Sequence, residues 1–554
     1  MAGEERRVKG SAAIAEILRQ EGSEYLFCFP YSPLIDPCVA SGLRPILART
    51  ERTLVNMADG YTRLSNGRRH GVVVVQYGPG SENAFAGVAQ AYADAVPILL
   101  LPGQVPQHRL GVPPLFDAVR AYAAVTKWAE RINRADRIPE FLRRAFTLLR
   151  TGRPGPVLLE VPHDVAAADL DDQTVAAYCR GLRARSAADP EAVRQAARQI
   201  LTARQPLLWV GQGVFYAEAT SELRTLAELL EAPVMTTLNG KSAFPENHPL
   251  ALGTGAYSGT PMVAHFLRAC DLVVAVGSSL TRSNFAPPIP PGKTIIQITS
   301  DERDLSKDYP VHLGLLGDAK LVLGQLLEEL QRQLGPQGRQ GDGTVRQTIR
   351  QLKEAWLSEW MPRLTADTTP INPYRVIWEL RQTLDPTRTI ITHDSGNPRD
   401  QLVPFYEAVV PHGYIGWGHS TQLGTSLGLA MGAKLAAPEK LVVTVMGDTA
   451  FGMAGMDIET AVRERLPILV VILNNGAMGG YEMYMPLATE RYRSKYLSGD
   501  YAQVARGLGA YSERVDQPAA IRPALQRAQQ AIAEGRPAVL EMITAEDPSF
   551  PKYW

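Results

Sequence analysis

The sequence has few of the features that mark secreted, membrane-bound or metal-rich proteins. Its 554 residues include only four cysteines, which are scattered without the spacing of a metal site: Cys28, Cys38, Cys179 and Cys270. Such sparse thiols predict a cytoplasmic protein whose cysteines stay reduced. The amino terminus is charged and has no apolar segment of the kind that forms a secretory signal.

The chain also lacks an excess of charge of either sign. It has 57 basic and 57 acidic side chains, and no basic stripe stands out, which argues against a nucleic acid partner. No apolar run is long enough to cross a bilayer, so no membrane partner is expected. The length predicts several domains, and the remaining candidate partners are small molecules and other copies of the chain.

A strand–helix–strand unit stands out near the carboxyl end. The apolar run 441–446 ends in Gly447-Asp448, a helical segment follows, and a second apolar run ends in Asn474-Asn475. In a parallel sheet, these two strand ends lie side by side at the carboxyl edge, where such sheets bind ligands. Asp448 and Asn475 therefore offer two hard oxygen ligands beside glycine-rich turns, which suits a Mg²⁺ ion that also binds a diphosphate.

This segment resembles the cofactor motif of thiamine diphosphate enzymes, Gly-Asp-Gly followed after a helix and a strand by Asn-Asn. Thr449 stands in place of the third motif residue. The resemblance implies that Mg²⁺ is held by Asp448, the Asn475 side chain and the Ala477 carbonyl, and that Gly447, Thr449 and Ala450 contact the cofactor. The alternative is an ordinary Rossmann-like unit with a turn aspartate and a capping asparagine.

A second segment, T-E-R-T-L-V-N-M-A-D-G-Y-T-R at residues 50–63, also resembles this family. By that resemblance, Glu51 protonates N1′ of the aminopyrimidine, and the ring then deprotonates its own thiazolium. The alternative for Glu51 alone is an exposed glutamate at a helix N-terminus, stabilised by the helix dipole. The presence of both segments in one chain favours the cofactor site.

The chain carries an internal duplication. Residues 71–102 and 441–474 share a strand–turn–helix–strand plan, which predicts similar α/β domains at the two ends. The resemblance implies a pyrimidine-binding domain at 1–186 and a diphosphate-binding domain at 366–554. It also implies that the cofactor lies between domains of different subunits, in a homodimer or homotetramer with active sites at the subunit interface.

A central domain is predicted at 187–345. Its apolar runs at 206–210, 271–279 and 294–298 alternate with helical segments, so the fold class is three doubly wound α/β domains. Gly211-Gln212-Gly213 is an incomplete nucleotide motif. The resemblance allows FAD, ADP, a CoA moiety or no ligand here, and activity is not expected to require FAD.

The resemblance assigns further cofactor contacts in both end domains. Gly80 and Asn83, in the G-P-G-S-E-N segment, are expected near the pyrimidine. The segment after the strand at 390–393 is expected at the diphosphate, through Ser395, Gly396 and Asn397. Leu423 is the expected apolar wedge that bends the cofactor. Turn glycines and a plain core leucine are the structural alternatives.

The reaction is predicted from departures within the family. The segment A-F-G-M-A-G-M-D-I-E-T at 450–460 resembles 2-hydroxyacyl-CoA lyases and oxalyl-CoA decarboxylases, and Thr50 and loop 111–119 depart from acetolactate synthases. The prediction is a 2-hydroxyacyl-CoA lyase that forms formyl-CoA and an aldehyde or ketone from an acyl-CoA substrate. The alternative is an acetolactate-synthase-like carboligase or decarboxylase of 2-oxo acids. Tyr481 and the adjacent Glu482 are candidates for proton shuttling or oxyanion contact.

The carboxyl-terminal tail is aromatic and rich in proline, D-P-S-F-P-K-Y-W at 547–554. In the lyases that the chain resembles, the tail folds over the active site. A tail in that position would shield the reacting carbon from water. An anchored, inert terminus is the alternative.

Overall fold

The computed structural model describes residues 7–339 and 341–554. The described chain forms two compact units. Unit 1 contains the described residues up to Ala184, with Thr425–Glu439 and Ala454–Leu466, and unit 2 contains Arg185–Gly424, Lys440–Met453 and Pro467–Trp554. Within the described residues, no helix is both long and apolar enough to cross a membrane.

Unit 1 is built on a six-stranded parallel sheet. The strands up to residue 171 are β1 (Arg7–Lys9), β2 (Tyr25–Cys28), β3 (Arg44–Leu47), β4 (Val72–Val75), β5 (Leu99–Gln104), β6 (Trp128–Arg131), β7 (Val157–Pro162) and β8 (Asp169–Asp171). The sheet has the order β3-β2-β4-β5-β7-β6, and β1 pairs with β8 separately and antiparallel. The central strand β4 is four buried valines, as expected for a strand covered on both faces.

Among the described residues, eight α-helices accompany these strands: α1 (Gly10–Gln20), α2 (Ile35–Ala40), α3 (Glu51–Leu64), α4 (Pro79–Ala93), α5 (Ala118–Tyr122), α6 (Ile138–Arg150), α7 (His163–Ala167) and α8 (Asp172–Ala176). Helix α6 illustrates why they form. It has Pro139 in its first turn, where proline is tolerated, and it buries one apolar face.

The central sheet lies in unit 2. Its strands are β9 (Pro206–Val210), β10 (Val234–Thr237), β11 (Ala251–Gly255), β12 (Leu272–Val276), β13 (Thr294–Thr299) and β14 (Leu313–Leu316). They are all parallel, in the order β11-β10-β9-β12-β13-β14, which is the strand order of a Rossmann sheet. The helices are α9 (Pro190–Thr202), α10 (Gly213–Ala217), α11 (Thr220–Leu230), α12 (Pro261–Ala269), α13 (Ala319–Leu334) and α14 (Thr344–Leu364).

The two glycines of the incomplete nucleotide motif have a packing role in this sheet. A Cβ on Gly211 would lie 2.3 Å from the Gly277 carbonyl oxygen, and one on Gly213 would lie 2.7 Å from the Gly277 Cα. The strand ends can approach each other this closely only because these residues lack side chains. The structure thus adds no support for FAD, ADP or CoA at this turn.

The third sheet repeats the strand order of the first. Its strands are β15 (Thr389–His393), β16 (Tyr414–Ile415), β17 (Leu441–Gly447), β18 (Ile468–Asn474), β19 (Tyr511–Val515) and β20 (Ala538–Ile543). They are all parallel, in the order β16-β15-β17-β18-β20-β19. Numbered within each sheet, the first and third sheets both have the strand order 2-1-3-4-6-5. The predicted duplication and the fold class of three α/β domains are therefore confirmed, whereas the residue boundaries of the domains stay predictions.

The helices that follow α14 are α15 (Pro373–Thr383), α16 (Asn397–Phe405), α17 (Thr425–Ala436), α18 (Asp448–Ala454), α19 (Ile458–Arg463), α20 (Pro486–Tyr492), α21 (Tyr501–Gly507) and α22 (Ile521–Ala533). Helices α17 and α19 belong to unit 1. There, α17 packs closely on α3. A Cβ on Gly432 would lie only 1.9 Å from the Met57 carbonyl oxygen, and a Cβ on Gly60 would lie only 2.2 Å from the Leu429 carbonyl oxygen.

The carboxyl-terminal tail is anchored on the central sheet region of unit 2. The Gly259 amide donates to the Pro551 carbonyl over 2.9 Å, and the Trp554 ring covers Gly259 so closely that a Cβ there would lie 2.1 Å from it. Phe550 packs edge-on against Tyr257, with 6.0 Å between ring centroids. The tail therefore takes the anchored alternative, and the prediction that its aromatic residues cover the active site is not supported, because those rings are used in packing.

Candidate cofactor site

A cavity of about 220 Å³ opens at the carboxyl edge of the third sheet. It is lined by residues that follow β15, β17, β18 and β20, which is the edge where parallel sheets bind ligands. Eleven of the predicted site residues line it: Ser395, Gly396, Asn397, Leu423, Gly447, Asp448, Thr449, Ala450, Asn475, Ala477 and Tyr481. The structure thus brings together segments that lie far apart in the sequence.

Asp448 lines this cavity, and one of its carboxylate oxygens has no hydrogen-bond partner. One oxygen, Oδ1, accepts a hydrogen bond from the Thr449 amide over 2.7 Å. The other, Oδ2, is buried and has no hydrogen-bond partner. Burial raises the pKa of Asp448, and the neighbouring backbone amides oppose this only in part. A buried carboxylate oxygen that lacks a hydrogen-bond partner is stabilised by a nearby cation.

The two asparagines of the Asn-Asn pair have different roles. Asn474 is structural, because its Nδ2 donates to the buried Glu541 carboxylate over 2.7 Å and its Oδ1 accepts from the Gly476 amide over 2.9 Å. The Asn475 side chain belongs to the cavity, where its Oδ1 also accepts from the Ala477 amide over 3.0 Å. Asn475 therefore lies beside the backbone whose carbonyl is the third predicted ligand.

Another part of the lining is a turn held by a buried aspartate. The Asp394 Oδ1 accepts hydrogen bonds from the Ser395 amide over 2.8 Å and from the Gly424 amide over 2.9 Å. Gly396 has a φ of +86°, in the region that favours glycine, and it caps α16. The helix N-terminus at Asn397 lines the cavity, and such a terminus is suited to bind a phosphate group.

The donor set fits a divalent ion with a diphosphate. Among residues 7–339 and 341–554, no three His, Cys, Asp or Glu side chains converge into a metal site. The cavity instead combines one carboxylate, one amide oxygen and one backbone carbonyl, which are the hard oxygen ligands that Mg²⁺ takes together with phosphate oxygens and water. The unpartnered Asp448 oxygen is the observation that shows the fit.

Tyr481 and Glu482 follow the turn at 476–480, and they lie in different surroundings. Tyr481 lines the cavity and is half-exposed. Glu482 is outside the lining, and its carboxylate accepts from the Lys495 ammonium over 2.9 Å. That bond lowers the pKa of Glu482. A carboxylate held in its ionised form is poorly suited to shuttle protons. The catalytic roles of both residues stay predictions, and the ion pair argues against Glu482.

Lys495 clamps the turn that presents the Ala477 carbonyl. Its buried ammonium also donates to Glu546 over 3.0 Å, and the other Glu546 oxygen accepts from the Gly480 amide over 2.8 Å. The Lys495 carbonyl accepts from the Met478 amide over 2.8 Å. Side chain and backbone of one residue thus hold residues 478–482 against the end of β20.

We expect Lys495→Met to weaken cofactor binding by about tenfold, because the loss of the clamp lets this turn move. The free energy of unfolding should fall by about 1–2 kcal/mol, less than for a fully buried pair, because Glu482 is half-exposed. Calorimetric titration and thermal melting measure the two effects. Lys9→Met removes an exposed pair with Asp169 and serves as the control. Equal cofactor affinities for the two variants would contradict the clamp.

The other predicted residues lie together in unit 1. Glu51 is the first residue of α3 and is only 7% exposed. The Asn83 Nδ2 donates to its carboxylate over 3.3 Å, and a Cβ on Gly80 would lie 3.6 Å from it. Glu51 is therefore at a helix N-terminus, as its structural alternative predicts, but it is buried, it accepts a hydrogen bond from Asn83, and it lies close to Gly80.

Asp457 fixes the helix end that carries Glu51. Its carboxylate accepts from the Arg49 amide over 2.7 Å and from the Thr53 hydroxyl over 2.6 Å, on both sides of Glu51 in sequence. Thr50 caps the same helix by accepting from the Thr53 amide over 3.2 Å. Sequence reasoning used the segment around Asp457 only to discriminate between reactions and missed this positioning role.

Other cavity residues were also missed. Thr544 and Ala545 follow β20, so the rule that ligands bind at the carboxyl edge could have found them. The same rule covers Pro398, which follows β15, and Leu473, Met478 and Gly479, which lie at or after the end of β18. Three lining residues carry no such signal: Pro373, Gln401 and Thr421. Gly479 is required by crowding, because a Cβ there would lie 2.6 Å from the Asn397 Nδ2.

This fold and this cavity define a cofactor-dependent α/β enzyme, and three family models agree. The N-terminal TPP binding domain of thiamine pyrophosphate enzymes matches residues 8–126, their central domain matches 193–326, and their C-terminal TPP binding domain matches 394–542. The chain belongs to the thiamine pyrophosphate enzyme family. The predicted family and the cofactor class are confirmed.

Three relatives that align with nearly the whole chain are named acetolactate synthase. The probable acetolactate synthase large subunit of Methanocaldococcus jannaschii is 30% identical over 97% of this chain and 92% of its own. The acetolactate synthase large subunit of Corynebacterium glutamicum is 30% identical, over 98% and 87% respectively. The isozyme 3 large subunit of Escherichia coli K12 is 28% identical, over 96% and 93%. These names favour the alternative, a 2-oxo acid carboligase, over the lyase that the sequence interpretation ranked first.

Proposed function

We propose that this chain is a thiamine-diphosphate-dependent carboligase that decarboxylates a 2-oxo acid and joins its acyl carbon to a second carbonyl compound. The observation that carries the proposal is the similarity to acetolactate synthase large subunits over nearly the whole chain, in which the residues predicted for the metal and the diphosphate line one cavity. The bound cofactor supplies an electron sink for the breaking C–C bond.

In this proposal, the residues of the site have the following roles. Asp448, Asn475 and the Ala477 carbonyl would hold Mg²⁺, which would neutralise the charge of the diphosphate. Glycine-rich turns and the α16 N-terminus at Asn397 bind the phosphate oxygens. Glu51, held by Asn83 and by the anchored helix end, would exchange a proton with the aminopyrimidine nitrogen of a bound cofactor. Leu423 is the apolar wedge against the cofactor.

Glu51 lies in unit 1 and Asp448 in unit 2, and the proposed function uses both residues. We further propose that the working enzyme is a homodimer or homotetramer in which a site takes these two units from different copies. Cytoplasmic location remains part of this proposal, and small 2-oxo acids are the proposed substrates.

The test is to supply the purified full-length chain with thiamine diphosphate, Mg²⁺ and pyruvate. We expect CO₂ release and formation of acetolactate, since pyruvate is then the one available acceptor. Two pyruvate anions and one proton give one acetolactate anion and CO₂, so no oxidant is needed. An enzyme that releases no CO₂ from pyruvate or from longer 2-oxo acids would contradict the proposal.

The same preparation also tests whether the chain has 2-hydroxyacyl-CoA lyase activity. A 2-hydroxyacyl-CoA is offered in a parallel reaction, and formyl-CoA is measured by mass spectrometry. We expect none, because the tail aromatics, which were expected to fold over the active site as in the lyases, are packed on residues 257–268. Formyl-CoA without any turnover of 2-oxo acids would restore the lyase prediction.

A further inference from the structure

A pair of charged side chains is buried in unit 2, outside the lining of the cofactor cavity. Lys241 and Glu246 lie in the segment between β10 and β11, and their side chains are 1% and 7% exposed. The Lys241 ammonium donates to both Glu246 carboxylate oxygens over 2.6 Å, and it lies 5.1 Å from the centroid of the Tyr414 ring. The roles assigned above to the residues of the site do not include this pair.

A buried ion pair is not an efficient way to stabilise a fold. Burial lowers the pKa of Lys241, because its ammonium loses water, and the Glu246 carboxylate opposes this shift. The loss of hydration offsets much of the attraction between two buried charges, and apolar residues of similar volume often stabilise a protein equally well. The pair is better explained if it fixes one arrangement of the chain, and its contacts indicate which one.

Glu246 joins the central sheet to the chain that leads into β16 of the third sheet. Its Oε2 accepts from the Ala408 amide over 2.8 Å, and its own amide donates to the Ala408 carbonyl over 3.0 Å. Its Oε1 accepts from the hydroxyl of Thr254, a residue of β11, over 3.2 Å. One carboxylate therefore binds the ammonium, a strand of the central sheet and the approach to the third sheet.

The turn that carries Lys241 contacts β16 and the residues after it. A Cβ on Gly416 would lie 1.7 Å from the Leu238 carbonyl oxygen, so the two segments touch backbone to backbone. Ser242 has a φ of +76°, which residues other than glycine seldom adopt, and its hydroxyl donates to the Tyr414 carbonyl over 3.3 Å. Strained backbone of this kind persists where the surrounding contacts hold it. The turn is thus held against the third sheet on both sides of Lys241.

The chain continues from β16 to the lining of the cofactor cavity. The indole nitrogen of Trp417 donates to the His393 carbonyl over 2.8 Å, and the two rings are stacked with centroids 5.2 Å apart. The next residue, Asp394, accepts from the Gly424 amide over 2.9 Å, and Leu423 lines the cavity. The chain therefore connects the buried ion pair to the expected apolar wedge.

We propose that the Lys241–Glu246 pair positions residues 408–424, and through them Leu423, at the cofactor cavity. The inference rests on the proposed function, which places Leu423 against the cofactor. Both charged residues are positioning residues, because neither lines the cavity. This role requires no nucleotide in the central domain. The metal and the diphosphate depend on other strand ends, so loss of the pair should disturb the bent form of the cofactor more than its affinity.

The first test compares Lys241→Met with Lys307→Met in the full-length protein. Lys307 follows β13 of the central sheet, forms an ion pair with Asp304 over 2.6 Å, and serves as the control. Without cofactor, we expect amide hydrogen exchange in residues 408–424, measured by mass spectrometry, to be at least about tenfold faster in Lys241→Met and unchanged in the control. A lower melting temperature with unchanged exchange in this segment would show that the pair only stabilises the fold, and would overturn the inference.

The second test adds thiamine diphosphate and Mg²⁺ to the same proteins. Exchange of the thiazolium C2 proton is followed by NMR, and the dissociation constant by calorimetry. We expect Lys241→Met to slow C2 exchange at least about tenfold and to change the dissociation constant by less than about threefold, because small displacements of positioning groups cost rate. Unchanged C2 exchange, or an equally large loss of affinity, would overturn the inference alone. Absence of C2 exchange in the unmodified enzyme would overturn the proposed function as well.

A double variant keeps both tests decisive if Lys241→Met does not fold, since that change leaves Glu246 buried without its cation. Lys241→Met combined with Glu246→Gln removes both charges and keeps the volume. Glutamine offers one acceptor oxygen in place of the two that bind Thr254 and Ala408. We expect the double variant to fold and to show the same faster amide exchange and slower C2 exchange. Values equal to those of Lys307→Met would overturn the inference.

Discussion

Replacing Glu51 with Gln should leave thiamine diphosphate bound and slow the exchange of its C2 proton by about 10²–10⁴-fold, the range of a general acid–base contribution. The amide keeps the shape and still accepts the Asn83 hydrogen bond, but it has no ionisable group. The loss corresponds to about 3–5 kcal/mol of transition-state free energy. Exchange is measured by NMR after mixing the holoenzyme with D₂O.

Glu82→Gln is the matched control for this experiment. Glu82 also lies in the first turn of a helix of unit 1, but it is exposed. The control should exchange at the rate of the unmodified enzyme. If Glu51→Gln does so as well, Glu51 is only a buried residue at a helix N-terminus, and the proposed proton exchange is wrong.

Most of the candidate residues for the metal and the diphosphate line one cavity because they lie in local sequence patterns. Asp448 and Asn475 each follow a buried strand, and the duplicated plan places both strands in the middle of one sheet. A parallel sheet then brings these strand ends together without further information. The first and third sheets have the same strand order, so the repeated strand–turn–helix–strand pattern of the sequence predicts the topology of both.

What the sequence does not predict depends on tertiary contacts between residues without a local pattern. The partners of Lys495 are Glu482 and Glu546, which no periodicity connects. Asp457 reaches the helix of Glu51 only because the chain segment 454–466 packs in unit 1. The sequence also does not predict how the tail packs. An aromatic terminus is equally compatible with a lid over the active site and with an anchored tail, and only the surface that it contacts distinguishes the two.

Replacing Asp448 with Asn should abolish the dependence of cofactor binding on Mg²⁺. The carboxylate is the one charged ligand of the proposed metal set, and its buried Oδ2 has no protein partner. We expect the dissociation constant of thiamine diphosphate to rise by about 100-fold, or about 2.7 kcal/mol, in the presence of Mg²⁺. Calorimetric titrations with Mg²⁺ and with EDTA measure this difference.

The same variant should not destabilise the protein in the absence of cofactor. Burial raises the pKa of Asp448, so near neutral pH the ionised group opposes folding, and a neutral amide removes that cost. The asparagine Oδ1 still accepts from the Thr449 amide, so the turn is retained. We therefore expect the melting temperature without cofactor to stay equal or to rise. Asp500→Asn, at the cap of α21, is the control and should leave Mg²⁺-dependent binding unchanged. Unchanged affinity in Asp448→Asn together with a lower melting temperature would show that Asp448 is only a turn residue.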